Sequence, residues 1–285
     1  MNVAGAIVAP LAMVANEVLP HPIIAHAIAA PRRVLCSSSL GRISYYEDAG
    51  LPGHPALPVL LLHDVATPGS ASAFRALFDQ LRGERALVVP DLLGHGFSER
   101  RRKTPFTREE HVRFVEEVIE DVSKRYGATV DVVAVGTTSE LAAEAIVRSP
   151  RHVRSLAMIA PTGFEDMPRF VRRLKTLLSR DAMRLRDPDV VSSVYDLLRV
   201  PTRFVHGSDA SAPRAEIDFL SRDHTSFNRT EIRGAHAAPH VDRPDVTADA
   251  LRAFWRSLAV KPELRLIRGE KSERIAAPTR RRQWS

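Results

Sequence analysis

The residues able to do chemistry gather around one strand–turn–helix. Val130–Gly163 reads VDVVAVGTTSELAAEAIVRSPRHVRSLAMIAPTG. Val132, Val133 and Val135 make a short apolar β run, and Leu141, Ala142, Ala145 and Ile146 recur at helical spacing. Pro150 ends the helix, and Leu156, Met158 and Ile159 begin a second strand. Between them lies Gly136-Thr137-Thr138-Ser139. A hydroxyl at such a turn attacks a carbonyl only when a base takes its proton, because its own pKa is far above neutral. His236 and His240 are the imidazoles that bear on this question, and Asp209 is a carboxylate that could orient one of them.

This layout resembles the nucleophile-elbow segment of the α/β-hydrolase family, where G-x-S-x-G presents a serine at the turn. In the family pattern that serine lies fourteen residues before the helix-ending proline. Counting back from Pro150 gives Gly136, and counting forward from Asp131 gives the same residue. Four further stretches follow the family in order. Leu60–Asp64 is similar to the first inner strand with its His-Gly. Asp91–Ser98 (DLLGHGFS) is similar to the D-x-x-G-x-G-x-S turn, and Pro201–Asp209 to the strand before the catalytic acid. Pro239–Pro244 is similar to the stretch after the catalytic histidine. Together they span roughly residues 41–260. The resemblance implies an α/β-hydrolase fold: a mostly parallel eight-stranded sheet, helices on both faces, a short helical lid, and a functional edge at the strand C-termini.

The resemblance also implies what has been replaced. Gly136 holds the nucleophile position; glycine accepts the strained backbone of an elbow without penalty. A two-residue slip would make Thr138 or Ser139 the nucleophile, at the cost of compensating gaps. The histidine position aligns with Ala237. His236 comes one residue early and His240 three late, and both read first as loop histidines bonded to backbone. His236 as a displaced base is the sharper reading. A one-residue deletion makes Asp209 the acid equivalent, whereas without a gap Ala210 takes that place. The oxyanion donors would be the N–H groups of Thr137 and a residue near Val65. Asp64 stands where the family has glycine, and a carboxylate there would oppose a developing oxyanion. Pointing to solvent, it would leave the hole as an anion or water site. Asp64, Val65, Thr137, His236 and His240 are therefore the candidate binding residues.

The bulk properties fit one globular domain. The 285 residues are 44% hydrophobic and 26% charged, with net charge +7. The last 25 residues hold eight Lys/Arg against three Glu, which is +5 of that total. The single Cys36 suits a reducing, cytoplasmic setting and cannot form an internal disulfide. Residues 1–40 are read as an apolar segment packed on the domain, with a membrane-surface helix as the lesser reading. Residues 41–260 form the hydrolase-like domain, including a lid at 164–200, and 261–285 form a basic disordered tail. Strands are expected at Arg42–Glu47, Pro58–His63, Ala86–Pro90, Leu156–Ala160, Thr202–His206 and Thr230–Ile232. Thr107-Arg-Glu-Glu110 is a capping box, with Gly127 past the helix end.

No metal spacing, Walker A loop or dinucleotide fingerprint occurs, so no cofactor or metal is expected. The chain reads as a soluble pseudo-hydrolase, non-catalytic or strongly impaired, that keeps a binding role for a small apolar or ester-like ligand or a partner. One alternative is an active hydrolase of small esters with a displaced nucleophile. Another is a peripheral protein held to acidic partners by Arg100, Arg101, Arg102, Arg172, Arg173 and the tail.

Overall fold

The structure, a computed structural model, describes residues 28–51, 57–65, 69–101, 103–161, 194–195, 197–208 and 227–259. The lid helix, the basic tail, residues 1–27, Asp209, Arg102, Arg172 and Arg173 lie outside the described residues.

Strands β1 (Arg32–Ser37) and β2 (Gly41–Asp48) pair antiparallel. β3 (Val59–Leu62) leads through a 3-10 turn at Ala71–Phe74 into α1 (Arg75–Leu81), then β4 (Leu87–Pro90). Next come α2 (Arg108–Tyr126), β5 (Val130–Val135), α3 (Thr138–Arg148) and β6 (Val153–Ile159). β7 (Thr202–Gly207), β8 (Phe227–Ile232), the single turn α4 (Pro239–Asp242) and α5 (Pro244–Ala259) complete the described elements. The eight strands lie in the order β1-β2-β4-β3-β5-β6-β7-β8. β2 meets β4 antiparallel, and every pairing from β4 to β8 is parallel.

The helices form where local signals agree. The capping box at Thr107 and Glu110 is made in both directions, and Gly127 closes α2 at φ +61. Its buried face, Val112, Val115, Ile119 and Val122, packs with Leu141 and Ala145 of α3 on one side of the sheet. Leu77, Phe78 and Leu81 of α1 and Leu251, Phe254 and Trp255 of α5 cover the other side. Alternation along the strands feeds both layers: Val132 and Ala134 face the first, Val133 and Val135 the second. All of β5 is buried, as a central strand covered on both faces must be.

β6 begins at Val153 rather than Leu156, and the two edge strands differ further from the sequence expectation. The sheet starts at Arg32, inside the segment 1–40 read as packing against the domain. β1 is an exposed edge strand whose arginines and serine hide its alternation. β8 begins at Phe227 rather than Thr230; of its residues only Phe227 and Ile232 are buried, so its apolar pattern is weak. Both are edge strands, which need only one hydrogen-bonded neighbour and tolerate polar side chains. Among the described residues no helix is long and apolar enough to cross a membrane.

Candidate functional site

Register brings the important turns to one edge. Leu62 pairs with Ala134, Val135 with Ile159, Ile159 with Val205, and Gly207 with Ile232. Asp64, Gly136, Ala160, Ser208 and the 233–238 loop therefore leave the sheet at the C-terminal ends of its parallel strands, the side on which open α/β sheets bind ligands.

Gly136 joins β5 to α3 with φ +56, the left-handed conformation that an elbow requires. Its N–H donates to the Ile159 carbonyl at 3.0 Å. Over it sits Asp64. A Cβ built on Gly136 would fall 2.1 Å from Asp64 Oδ2 and 2.5 Å from its Cγ. The other carboxylate oxygen, Oδ1, accepts the Thr137 N–H at 3.1 Å. Asp64 thus neither points away to solvent nor merely stands near the turn. Its carboxylate fills the volume of the side chain that Gly136 lacks.

The neighbouring groups are also engaged. The Val65 N–H donates to Thr138 Oγ1 at 3.1 Å. Ser139 Oγ donates to the Ala134 carbonyl at 3.0 Å. Thr138 and Ser139 are both completely buried. Both backbone donors singled out in the sequence, at Thr137 and near Val65, have acceptors from within the chain.

The acid and histidine segments meet through backbone. A Cβ on Gly207 would lie 2.1 Å from the His236 carbonyl oxygen, so glycine is what lets the end of β7 pass under that loop. His236 is exposed, and its N–H donates to Asp242 Oδ2 at 2.8 Å. Ala237 is exposed as well. His240 behaves differently from a loop histidine: it is buried, with its ring centroid 5.4 Å from that of Phe74. Burial lowers its pKa to about 4.

Three further imidazoles, His63, His95 and His111, are buried, and His63 bonds to the loop that carries Asp64. The Leu92 N–H donates to His63 Nε2 at 3.0 Å, so Nδ1 carries the proton and donates to the Asp64 carbonyl at 2.8 Å. Burial, with a smaller contribution from His95, holds His63 well below the usual imidazole pKa. His95 meets His63 edge-on at 5.2 Å, donates from Nδ1 to the Leu93 carbonyl at 3.0 Å, and is likewise lowered by burial. His111 is lowered to about 4 by burial and then by His95. A helical signal for His111 was available, since it shares a face with Val115, Val118 and Val122. Nothing local marks His63 and His95 as neighbours. Among the described residues, no cluster of three or more His, Cys, Asp or Glu could hold a metal ion.

These neutral rings make the fold sensitive to acid. An unfolded histidine titrates near pH 6.5, whereas His111 and His240 resist protonation down to about pH 4. Between those values the unfolded chain binds protons that the native chain refuses. Stability is therefore unaffected by these two groups above about pH 6.5 and falls as pH drops through the window, by up to about 3 kcal/mol per ring. Thermal midpoints measured from pH 7 to 4.5 should fall less steeply for His240→Phe than for the parent. Parallel curves would exclude His240 as a source of the acid loss.

No family model and no curated protein matches the chain. Solved structures do. A serine hydrolase involved in carbazole degradation is 15% identical at a TM-score of 0.62, covering 80% of this chain and 100% of its own. The thioesterase domain from the curacin biosynthetic pathway is 15% identical at 0.65, covering 79% and 99%. A thermophilic esterase from Thermogutta terrifontis is 16% identical at 0.62, covering 80% and 99%. The fold is that of the α/β-hydrolases. Within this hydrolase fold, Gly136 takes the left-handed turn between the central strand and its helix, and Asp64 sits where a side chain at that turn would project.

Proposed function

We propose that this is a hydrolase-fold protein without serine-type turnover, kept for binding a small apolar or ester-like molecule. The observation that carries the reading is the Asp64 carboxylate lodged against Gly136 with the Thr137 N–H in its grasp. Acyl transfer needs a nucleophile at the turn and empty N–H donors for the oxyanion. Here glycine supplies no nucleophile, and a negative oxygen already holds a donor. The displaced candidates support the same reading: Thr138 and Ser139 are buried, and their hydroxyls bond to Val65 and Ala134. Of the basic residues considered for an acidic partner, Arg100 donates to the Gly96 carbonyl at 3.0 Å, and Arg101 pairs with Glu110 at 2.7 Å. Those internal bonds lend no weight to a basic docking rim.

The full chain should turn over short p-nitrophenyl esters no faster than a heat-inactivated sample. Saturable turnover abolished by Thr138→Ala or Ser139→Ala would replace this reading with that of an esterase using a displaced hydroxyl.

A further inference from the structure

A groove of about 580 Å³ lies where the described residues begin. It is lined by Ile28, Ala29, Ala30 and Pro31 and by Arg75 and Asp79, which stand one turn apart on α1. Ile28 is completely buried in the core layer that holds Phe74, Leu77 and Phe78, whereas Ala29, Pro31, Arg75 and Asp79 are exposed. The chain therefore enters the core at the groove itself. The 27 residues before Ile28 contain no Lys or Arg and a single acid, Glu17. Among them Pro10 and Pro20 bracket Leu11, Val14, Ala15 and Val18, which recur at helical spacing. Proline suits the first turn of a helix and ends one further on, so the sequence predicts a short helix over 10–19. Asn16 and Glu17 fall away from its apolar stripe. Such a stripe gains about 25 cal/mol for each Å² it takes out of water.

We propose that this groove is the docking seat of the chain's own residues 10–19, with the stripe of Leu11, Val14 and Val18 laid against Ile28 to Pro31. The proposal is independent of the ligand-binding reading above. Residues 19–27, at most about 30 Å long when extended, tie the stripe to the groove. A short tether raises the effective concentration into the millimolar range, so a seat lined by six residues suffices. A second copy has no such tether, and a stable interface between separate proteins takes about 20–30 residues a side. Helices that lie on membranes carry Lys and Arg on their polar face, and this stretch has neither. The rim charges, Arg75 and Asp79, are of opposite sign and leave no net field against a segment whose one charge is Glu17.

The test uses the full chain with Cys36→Ser, which removes the single cysteine, and a nitroxide label on Asp79→Cys at the groove. Methyl resonances of Leu11, Val14 and Val18 should broaden, and equally so at high and low protein concentration. Val14→Asp puts a charge into the stripe and should relieve the broadening of Leu11 and Val18 severalfold. A label on Ala29→Cys, another exposed residue of the groove, repeats the measurement should the Asp79 variant fail to fold. Absence of broadening would overturn the proposal. Broadening unchanged by Val14→Asp would overturn it too, since it would report the tether alone. Broadening that fades on dilution would give the groove to a second copy instead. Phosphatidylcholine–phosphatidylglycerol vesicles that sediment with the chain and abolish the broadening would give the stripe to a membrane, and would likewise overturn the proposal.

Discussion

Replacing Asp131 by alanine is expected to cost the fold about 3–5 kcal/mol, the penalty for leaving buried charges without their partner. Asp131 is the second residue of β5, at the end of the strand away from Gly136, and is completely buried. Arg85 and Arg154 both pair with its Oδ2, and the Arg154 Nε donates to Oδ1 at 2.8 Å. Ser155 Oγ donates to the same oxygen. Arg85 also stacks over the Trp255 ring at 4.5 Å, so it is fastened to α5 as well as to β5. Alanine would leave two guanidinium groups, with side chains only 12% and 24% exposed, close together without the carboxylate that both pair with. Denaturant unfolding of the parent and Asp131→Ala gives the loss directly. A loss under about 1 kcal/mol would mean that both arginines reach water once the carboxylate is gone.

The second large effect is expected at the elbow. Gly136→Ser places a Cβ where Asp64 now sits, 2.1 Å from its Oδ2, on a backbone at φ +56. Left-handed strain costs about 1–3 kcal/mol, and a lost hydrogen bond to a charged group about 1.5–3 kcal/mol. A total loss of roughly 3 kcal/mol or more is expected, with no gain of ester turnover because Ala237 supplies no base. The two sites should be coupled. Asp64→Gly removes the obstructing carboxylate, so the double variant Gly136→Ser/Asp64→Gly should be more stable than the two single losses predict, by more than about 1 kcal/mol. A double-mutant cycle in denaturant checks this. Additive losses would show that the serine side chain and the Asp64 carboxylate do not share space.

Much of the fold was readable because its signals are local. Thr107 and Glu110 form their capping box within one turn, and Gly127 ends α2 next to the last apolar position. The β5–turn–α3–β6 unit carries its own punctuation: a valine run, Gly136 and Pro150. The edge strands β1 and β8 were harder to read. Burying little, they have no need of regular alternation, so β1 escaped the apolar count and β8 was cut short.

The sequence by itself determined that residue 136 has no side chain to act as a nucleophile and that residue 64 is a carboxylate. It also made a left-handed turn available, because glycine between an apolar strand and an amphipathic helix admits that geometry at no cost. Only the tertiary structure decided what the two residues do to each other. Asp64 and Thr137 are 73 positions apart, and they meet because β3 and β5 pair in a register that sets Leu62 beside Ala134. A shift of one residue would turn every side chain of β3 to the opposite face. The same register, with the buried His63 anchoring the loop, directs the carboxylate onto Gly136 rather than into solvent. Long-range strand pairing of this kind is set by packing on both faces of the sheet, and no window of local sequence contains it.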